Sequence, residues 1–245
     1  QSMLEQFKHK VVKASEIFDV EKLAKFHAII DVIGGHHSLD WSDVKYYHNP
    51  TTNLLEPIAY ESFSAHPARK ISASYQFLDS VDGLNFHNNL FSDTIFFKAY
   101  INALKKVIEP EYLDVFLNDV DEELQKKLAI IYTEFPYKDF TTGVLYKNQL
   151  KIKAMLNEKK PFHVFLQGYK NDSVTIALGS NSALPYRLLS VSCGSEEASV
   201  NNVIIYSKQA RKVIEYDTYT FPITADITSK LEKEKKIRLM IQLLG

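Results

Sequence analysis

The sequence predicts an α+β protein in which a mainly helical domain, residues 1–160, precedes an all-β domain, residues 161–245. Up to Pro161 the apolar residues recur mostly at the three- and four-residue spacing of helices. Beyond it, short β-branched and aromatic runs alternate with Gly, Asn, Ser and Pro, as in strands joined by turns. We therefore expect the second domain to be a small sandwich of the immunoglobulin-like type.

The helical part begins with apolar residues at helical spacing that predict one helix from Leu4 to about Ile17. A second helix follows, with Asp19 as its N-cap and the pair Gly34-Gly35 at its end. Further helices are predicted from Ser92, from Glu111 and up to Leu156. The acidic run 119–122 predicts a capping box that starts a separate helix.

Between these helices the sequence predicts a β-hairpin. Strands are expected at Val44–Tyr47 and Leu55–Tyr60, with the turn at Asn49–Asn53. Residues 62–90 show no strong periodicity and are rich in Ser, His and Asn, which predicts a long ordered loop or a few short turns.

The second domain shows six strand-like runs separated by turn residues. The charged run Lys230–Lys236 is expected to be a solvated turn or helix end. The strand-like runs are 163–169, 173–178, 186–193, 202–206, 213–220 and 236–244.

The composition gives no sign of nucleic-acid binding, of a disulfide or of a membrane span. With 29 basic and 30 acidic residues the net charge is -1, so the sequence shows no nucleic-acid footprint. Cys193 is the single cysteine, so no intrachain disulfide forms. No run approaches about 18 consecutive apolar residues, so we expect no membrane span.

The start Gln1-Ser2-Met3 resembles the remnant of a cleaved tag, which places the first natural residue near Leu4.

Three acids are expected to meet at one end of the hairpin. Asp40 and Asp43 precede its first strand and Glu61 follows its second, so closing the hairpin brings Glu61 back beside the other two. Carboxylates in this arrangement suit Mg²⁺, as in phosphoryl transfer. A second chemistry, zinc held by His36 or His37 with Asp40, also remains open, as does a polar loop with surface acids.

The stretch from Phe26 to Tyr60 resembles the catalytic-loop region of the spore-coat CotH kinase-like family. The resemblance is carried by Lys-Phe-His-Ala-Ile-Ile-Asp, Asp-Trp-Ser-Asp-Val-Lys-Tyr-Tyr-His-Asn-Pro and Leu-Glu-Pro-Ile-Ala-Tyr-Glu. It implies that Asp40 is the catalytic acid and that Asp43 and Glu61 hold the metal. The chain differs from the family's usual residues at two of these positions, with Asp43 in place of Asn and Glu61 in place of Asp.

The resemblance implies a kinase C-lobe-like helical domain, a protein substrate or surface partner, and a location at the cell surface or spore coat. In the intact protein it implies Mg²⁺ and ATP. We expect neither bound to this chain, because no Gly-rich strand-turn-strand precedes Asp40 to cover a nucleotide. The chain is accordingly expected to be a carboxy-terminal fragment that is inactive alone. The alternatives are a non-catalytic surface or coat protein and a carbohydrate-binding protein, both acting through the β domain.

Overall fold

The computed structural model is a mixed fold with 46% helix and 27% strand in antiparallel sheets. This confirms the α+β class. The chain divides into two compact units, with the change at Met155 and Leu156, a few residues before the predicted boundary. The structure describes residues 2–40, 43–62, 66–77, 86–170, 172–210 and 213–245.

The described residues of the first unit form a helical core beside a hairpin of strands β1 (Lys45–Asn49) and β2 (Leu54–Ile58). Helix α3 packs along α5 and supplies the centre of this core. The helices are α1 (Ser2–Lys8), α2 (Ala14–Ile17), α3 (Val20–Ile33), α4 (Phe86–Ser92), α5 (Thr94–Val107), α6 (Tyr112–Glu134) and α7 (Gly143–Leu156).

Helix α3 has the ends that the sequence predicts. The Asp19 carboxylate accepts a hydrogen bond from the Lys22 amide at 3.0 Å and caps the helix. Gly34 adopts the left-handed conformation with φ of 70° and ends it. These local signals fix where the chain leaves α3 and enters the polar loop.

Three local predictions in the first unit are wrong. Residues Leu4–Ile17 form two helices, because Lys10 has a φ of 59° that ends α1. The acidic run 119–122 starts no helix; α6 continues through it, and Glu122 pairs with Lys126 one turn later on its surface.

The third wrong prediction is the extent of the loop expected at residues 62–90. Residues 86–90 belong to α4, since their aromatic side chains are buried, and residues 72–77 form a 3-10 helix. Of the rest of that loop, residues 62 and 66–71 form no helix or strand, as expected, and residues 63–65 and 78–85 lie outside the described residues.

The second unit contains two three-stranded antiparallel sheets and a two-stranded ribbon of β7 and β8. In one sheet β4 lies between β3 and β9; in the other β5 lies between β10 and β6. The strands are β3 (Phe162–Lys170), β4 (Ser173–Ser180), β5 (Tyr186–Cys193), β6 (Glu196–Ile205), β7 (Gln209–Ala210), β8 (Val213–Ile214), β9 (Tyr216–Pro222) and β10 (Arg238–Leu243).

The second unit is not all-β, because it also contains helix α8 (Ala225–Glu234). Thr224 caps this helix, and Ile227 and Leu231 are fully buried in the core that both sheets share. The run 230–236, expected to be a solvated turn or a helix end, is the end of α8, with Lys235 as its C-cap. None of the described helices is long and apolar enough to cross a membrane.

Candidate metal centre

The loop after α3 carries two adjacent histidines with opposite surroundings. Residues His36–Leu39 form a 3-10 turn whose Ser38 and Leu39 are buried. The His36 side chain is 12% exposed, whereas that of His37 is 44% exposed. The turn therefore directs one imidazole into the unit and the other toward solvent.

Two close contacts hold this loop in place. His36 Nε2 lies 2.8 Å from Oδ1 of the buried Asp31 on α3, and its ring stacks on that of Tyr75 with centroids 5.6 Å apart. At Gly34 an added Cβ would lie 2.1 Å from the His66 carbonyl oxygen. Only glycine fits this left-handed position against the neighbouring backbone.

The hairpin is attached to the start of α3. The Asp19 amide donates to the Leu55 carbonyl at 2.9 Å, and Lys22 Nζ lies 2.8 Å from Glu56 Oε1. The strand register pairs Lys45 with Ile58 at the open end of the hairpin. Because Asp43 and Glu61 lie just beyond this pair, the antiparallel register brings them to the same end.

The three predicted acids surround the exposed imidazole of His37. Nδ1 of this ring lies 3.3 Å from Asp40 Oδ2, and Nε2 lies 3.5 Å from Asp43 Oδ2 and 3.0 Å from Glu61 Oε2. We name these four residues the carboxylate–histidine cluster. The structure thus brings together all three acids singled out in the sequence and adds His37 at their centre.

Three members of the cluster, Glu61 not among them, have the dimensions of a metal site. His37, Asp40 and Asp43 each offer one ligand atom, and these atoms all lie within 4.8 Å of one another. Ligands on opposite sides of a Mg²⁺ ion are about 4 Å apart. Carboxylate oxygens suit Mg²⁺ and Mn²⁺, and imidazole nitrogen suits Zn²⁺, so the donor set fits a divalent cation of either kind.

Two lysine–tyrosine pairs lie beside the cluster: Lys45 with Tyr60 near Glu61, and Lys70 with Tyr75 near Asp40. Lys45 Nζ is 5.1 Å from the centroid of the Tyr60 ring. The Tyr60 hydroxyl donates to the Glu61 carboxylate, and this bond raises the pKa of the tyrosine. Near Asp40, Lys70 Nζ lies 3.8 Å from the centroid of the Tyr75 ring.

The second pair is the more buried of the two. Burial, followed by the charges of Asp40 and Asp31, raises the pKa of Tyr75 to about 12. Burial lowers the pKa of Lys70, and the charge of Asp40 opposes that change. The Lys70 ammonium thus lies in the electrostatic field of the cluster.

The sequence did not indicate these neighbours. Lys70 and Tyr75 fall in the stretch predicted as a loop, and His37 entered only as one of two candidate zinc ligands. The spacing of Lys70 and Tyr75 matches no pattern that would have marked them. Trp41 and Ser42, between the two loop acids, lie outside the described residues.

No family model matches this chain, and no curated protein or solved structure matches it.

Proposed function

We propose that the carboxylate–histidine cluster holds a divalent cation and that this chain carries the catalytic-loop part of a CotH-like protein kinase. The observation that supports the proposal is the meeting of Asp40, Asp43 and Glu61 around one imidazole at the end of a helix-and-hairpin platform. Exposed acids commonly lie apart, because like charges repel. Asp40 and Asp43, whose oxygens lie within 4.8 Å of each other, gain from a shared cation.

The exposures of the three acids support a division of roles. Asp40 is the most exposed, at 52%, and is free to accept a proton from a substrate hydroxyl. From the resemblance we assign the ion to Asp43, at 23%, and to Glu61, whose carboxylate accepts a hydrogen bond from the Tyr60 hydroxyl. When bound, a divalent cation neutralises charge on a phosphate group during transfer.

The finer description of the fold belongs to the same proposal. We propose that the helical unit, with its helix-and-hairpin platform, is a kinase C-lobe of the CotH-like type. The second unit has two three-stranded antiparallel sheets with a common core, as in a sandwich of the immunoglobulin-like class. We assign the first unit to metal binding and catalysis, and the second to contact with a protein substrate or a surface.

Thermal unfolding with and without millimolar Mn²⁺ tests the metal site. An ion at about 100 times its Kd stabilises a fold by about 2.7 kcal/mol, so the melting temperature of the first unit should rise by several degrees. Asp43→Ala should abolish the rise. Glu122→Ala, which removes an exposed acid on α6, should retain it. A wild-type melting temperature that Mn²⁺ leaves unchanged would contradict the proposal.

A second candidate, carbohydrate binding by the β unit, is favoured by one exposed aromatic pair. Phe165 on β3 and Tyr216 on β9 are 56% and 43% exposed, and their ring centroids are 5.5 Å apart. They meet across β4, where Gly179 has no side chain and the Tyr216 ring lies close to its backbone. Sugar rings stack their C–H faces on such exposed aromatic surfaces.

Affinity electrophoresis in gels that contain soluble polysaccharides tests this candidate. Retardation that Phe165→Ala removes would support it. Met240→Ala, which removes an equally exposed apolar side chain from the other sheet, is the control. A chain that migrates identically in every gel excludes the candidate for the polysaccharides used.

A further inference from the structure

Helix α6 carries an apolar stripe that its own unit leaves largely uncovered. The whole helix lies within the described residues, and of its 23 residues only Leu113, in the first turn, is buried. The apolar side chains that follow on the same face are partly or well exposed, and Ile131 reaches 43%. We name these five residues the α6 stripe: Leu117, Val120, Leu124, Leu128 and Ile131. A stripe of this kind is the surface that one helix offers to another.

The spacing of the α6 stripe is the same in both chain directions. From Leu117 to Ile131 the intervals are three, four, four and three residues, and Leu124 lies at the centre. At about 100° per residue, all five side chains fall within about 80° of the helix circumference. In an antiparallel pair of identical helices, a two-fold axis beside Leu124 brings this residue against its own copy and Val120 to the level of the partner's Leu128.

One flank of the stripe is complementary to itself under the same two-fold axis. It carries two exposed apolar side chains, Phe116 at 48% and Ile130 at 66%, which come within about two residues of each other's level across the pair. The same flank carries Glu123 and Lys127, one on each side of Leu124 and both about two-thirds exposed. Antiparallel pairing brings Glu123 of each copy toward the partner's Lys127 and leaves the apolar stripe covered between them.

The charges along α6 favour antiparallel over parallel pairing. Acids stand at positions 119 and 121–123, before Leu124, and Lys126 and Lys127 follow it. Parallel pairing would set the acidic run of one copy beside the same run of the other, where like charges repel. Antiparallel pairing sets each acidic run near the partner's lysines and also opposes the two helix dipoles. A second copy of this chain therefore matches the stripe in both spacing and charge.

We propose that the α6 stripe is a homodimer interface, in which two copies of this chain pair antiparallel about a two-fold axis beside Leu124. Leu124 packs on its own copy at the centre, and the charges of Glu123 and Lys127 set the orientation. The inference uses no residue of the carboxylate–histidine cluster, so it stands or fails apart from the proposed metal site.

Sedimentation velocity across a protein concentration series from about 1 μM to about 100 μM tests the interface, because a weak dimer dissociates within this range. The wild type should shift from monomer to dimer. Leu124→Glu should raise the Kd of the dimer at least about tenfold, since it sets two carboxylates against each other at the two-fold axis. Val115→Glu adds the same charge at an exposed position on the opposite face of α6, so its Kd should match that of the wild type.

Charge reversal tests the orientation with substitutions at exposed positions, which leave the fold of the monomer intact. Lys127→Glu should weaken the dimer about fivefold, because it turns two symmetric attractions with the partner's Glu123 into repulsions. Adding Glu123→Lys to the same chain should restore most of the affinity, since each reversed residue again faces an opposite charge.

Each result bears on a different part of the proposal. A wild type that stays monomeric throughout the series would overturn it and leave the stripe to a partner of another kind. A dimer that Leu124→Glu weakens no more than Val115→Glu does would show that the copies meet through another surface. A charge-reversed double variant that dimerises no better than Lys127→Glu would overturn the antiparallel arrangement.

Discussion

His36 Nε2 lies 2.8 Å from Asp31 Oδ1, so the residue next to the carboxylate–histidine cluster is bonded to a buried acid in the middle of the helical core. Asp31 also accepts hydrogen bonds from the Ser72 amide at 2.7 Å, from the Ser72 hydroxyl at 2.8 Å and from the Tyr100 hydroxyl at 2.5 Å. One carboxylate thus joins α3, α5, the 3-10 turn at Ser72 and the histidine loop. It positions both His37 and the Lys70–Tyr75 pair.

Asp31→Ala should therefore lower both stability and metal affinity. It leaves the Tyr100 hydroxyl and the Ser72 amide buried without their acceptor, at a cost of about 3 kcal/mol or more. Urea denaturation and Mn²⁺ titration measure the two effects. Tyr100→Phe is the matched control, since it removes one donor and leaves the His36 contact in place. Mn²⁺ affinity unchanged in a folded Asp31→Ala variant would show that Asp31 does not position the cluster.

The parts of the site that local sequence determines could be predicted. Asp19 and Gly34 fix the ends of α3, and the hairpin register then places Asp43 and Glu61 at one end. Each of these features depends on residues close together in the chain. The meeting of the three acids follows from them.

The other parts depend on contacts between distant residues. Ser72 bonds to an acid 41 residues earlier in the chain, and this contact brings the Lys70–Tyr75 pair beside the cluster. No pattern among neighbouring residues in the sequence predicts such a contact. Helix α8 is not predicted for a different reason: only Ile227, Thr228 and Leu231 are buried, and the charged residues around them dominate the pattern.

His27 should make the stability of the first unit depend on pH. Its side chain is buried among the rings of Phe91, Phe96 and Tyr100, and burial lowers its pKa well below 6.5. In the unfolded chain the His27 imidazole binds a proton near pH 6.5, whereas in the folded chain it stays neutral at that pH. The free energy of unfolding should therefore fall as the pH drops below 6.5, by up to about 1.4 kcal/mol per pH unit.

Urea denaturation at several pH values between 5 and 8 measures this dependence. His27→Leu should flatten it, whereas His163→Gln, at an exposed position on β3, should not. Parallel curves for the wild type and His27→Leu would show that His27 contributes nothing to the pH dependence.

Gly34→Ala should destabilise the first unit strongly. The left-handed conformation alone disfavours alanine by about 1 kcal/mol, and the new methyl would collide with the His66 carbonyl oxygen. Gly143→Ala is the opposite case, because a Cβ at the start of α7 meets nothing within 4 Å. We expect this change to be neutral or to stabilise by a few tenths of a kcal/mol up to about 1 kcal/mol. Thermal unfolding of both variants checks the contrast, and equal melting temperatures would contradict it.

Leu231→Ala should destabilise the second unit, because this α8 side chain is fully buried in the core shared by both sheets. The loss of a buried leucine costs about 2–5 kcal/mol. Hydrogen exchange read out by peptide should show faster exchange in β4 and β5 and unchanged exchange in α3. The neighbouring exposed change Glu232→Ala should have little effect. Undiminished protection of β4 and β5 in Leu231→Ala would mean that α8 is dispensable to this core.

The His37 imidazole should distinguish the two kinds of ion that the cluster can hold. Zinc favours an imidazole ligand, whereas Mn²⁺ and Mg²⁺ are satisfied by carboxylates. His37→Ala should thus weaken Zn²⁺ binding at least about tenfold, because ligand loss removes a strong bond, and weaken Mn²⁺ binding much less. Asp43→Asn should weaken the binding of both ions, since it removes a formal charge from the set.

Competition against a fluorescent chelator measures the Zn²⁺ and Mn²⁺ affinities of the wild type and of both variants in one format. A phosphoryl-transfer site requires Mn²⁺ binding that survives His37→Ala, because in the proposed division of roles Asp43 and Glu61 hold the ion. Loss of Mn²⁺ and Zn²⁺ binding to the same extent would make the imidazole an obligatory ligand. The cluster would then be a zinc-type centre in which His37 takes the place of one of the acids, and the assignment of Asp40 to proton transfer would have to be replaced by metal ligation.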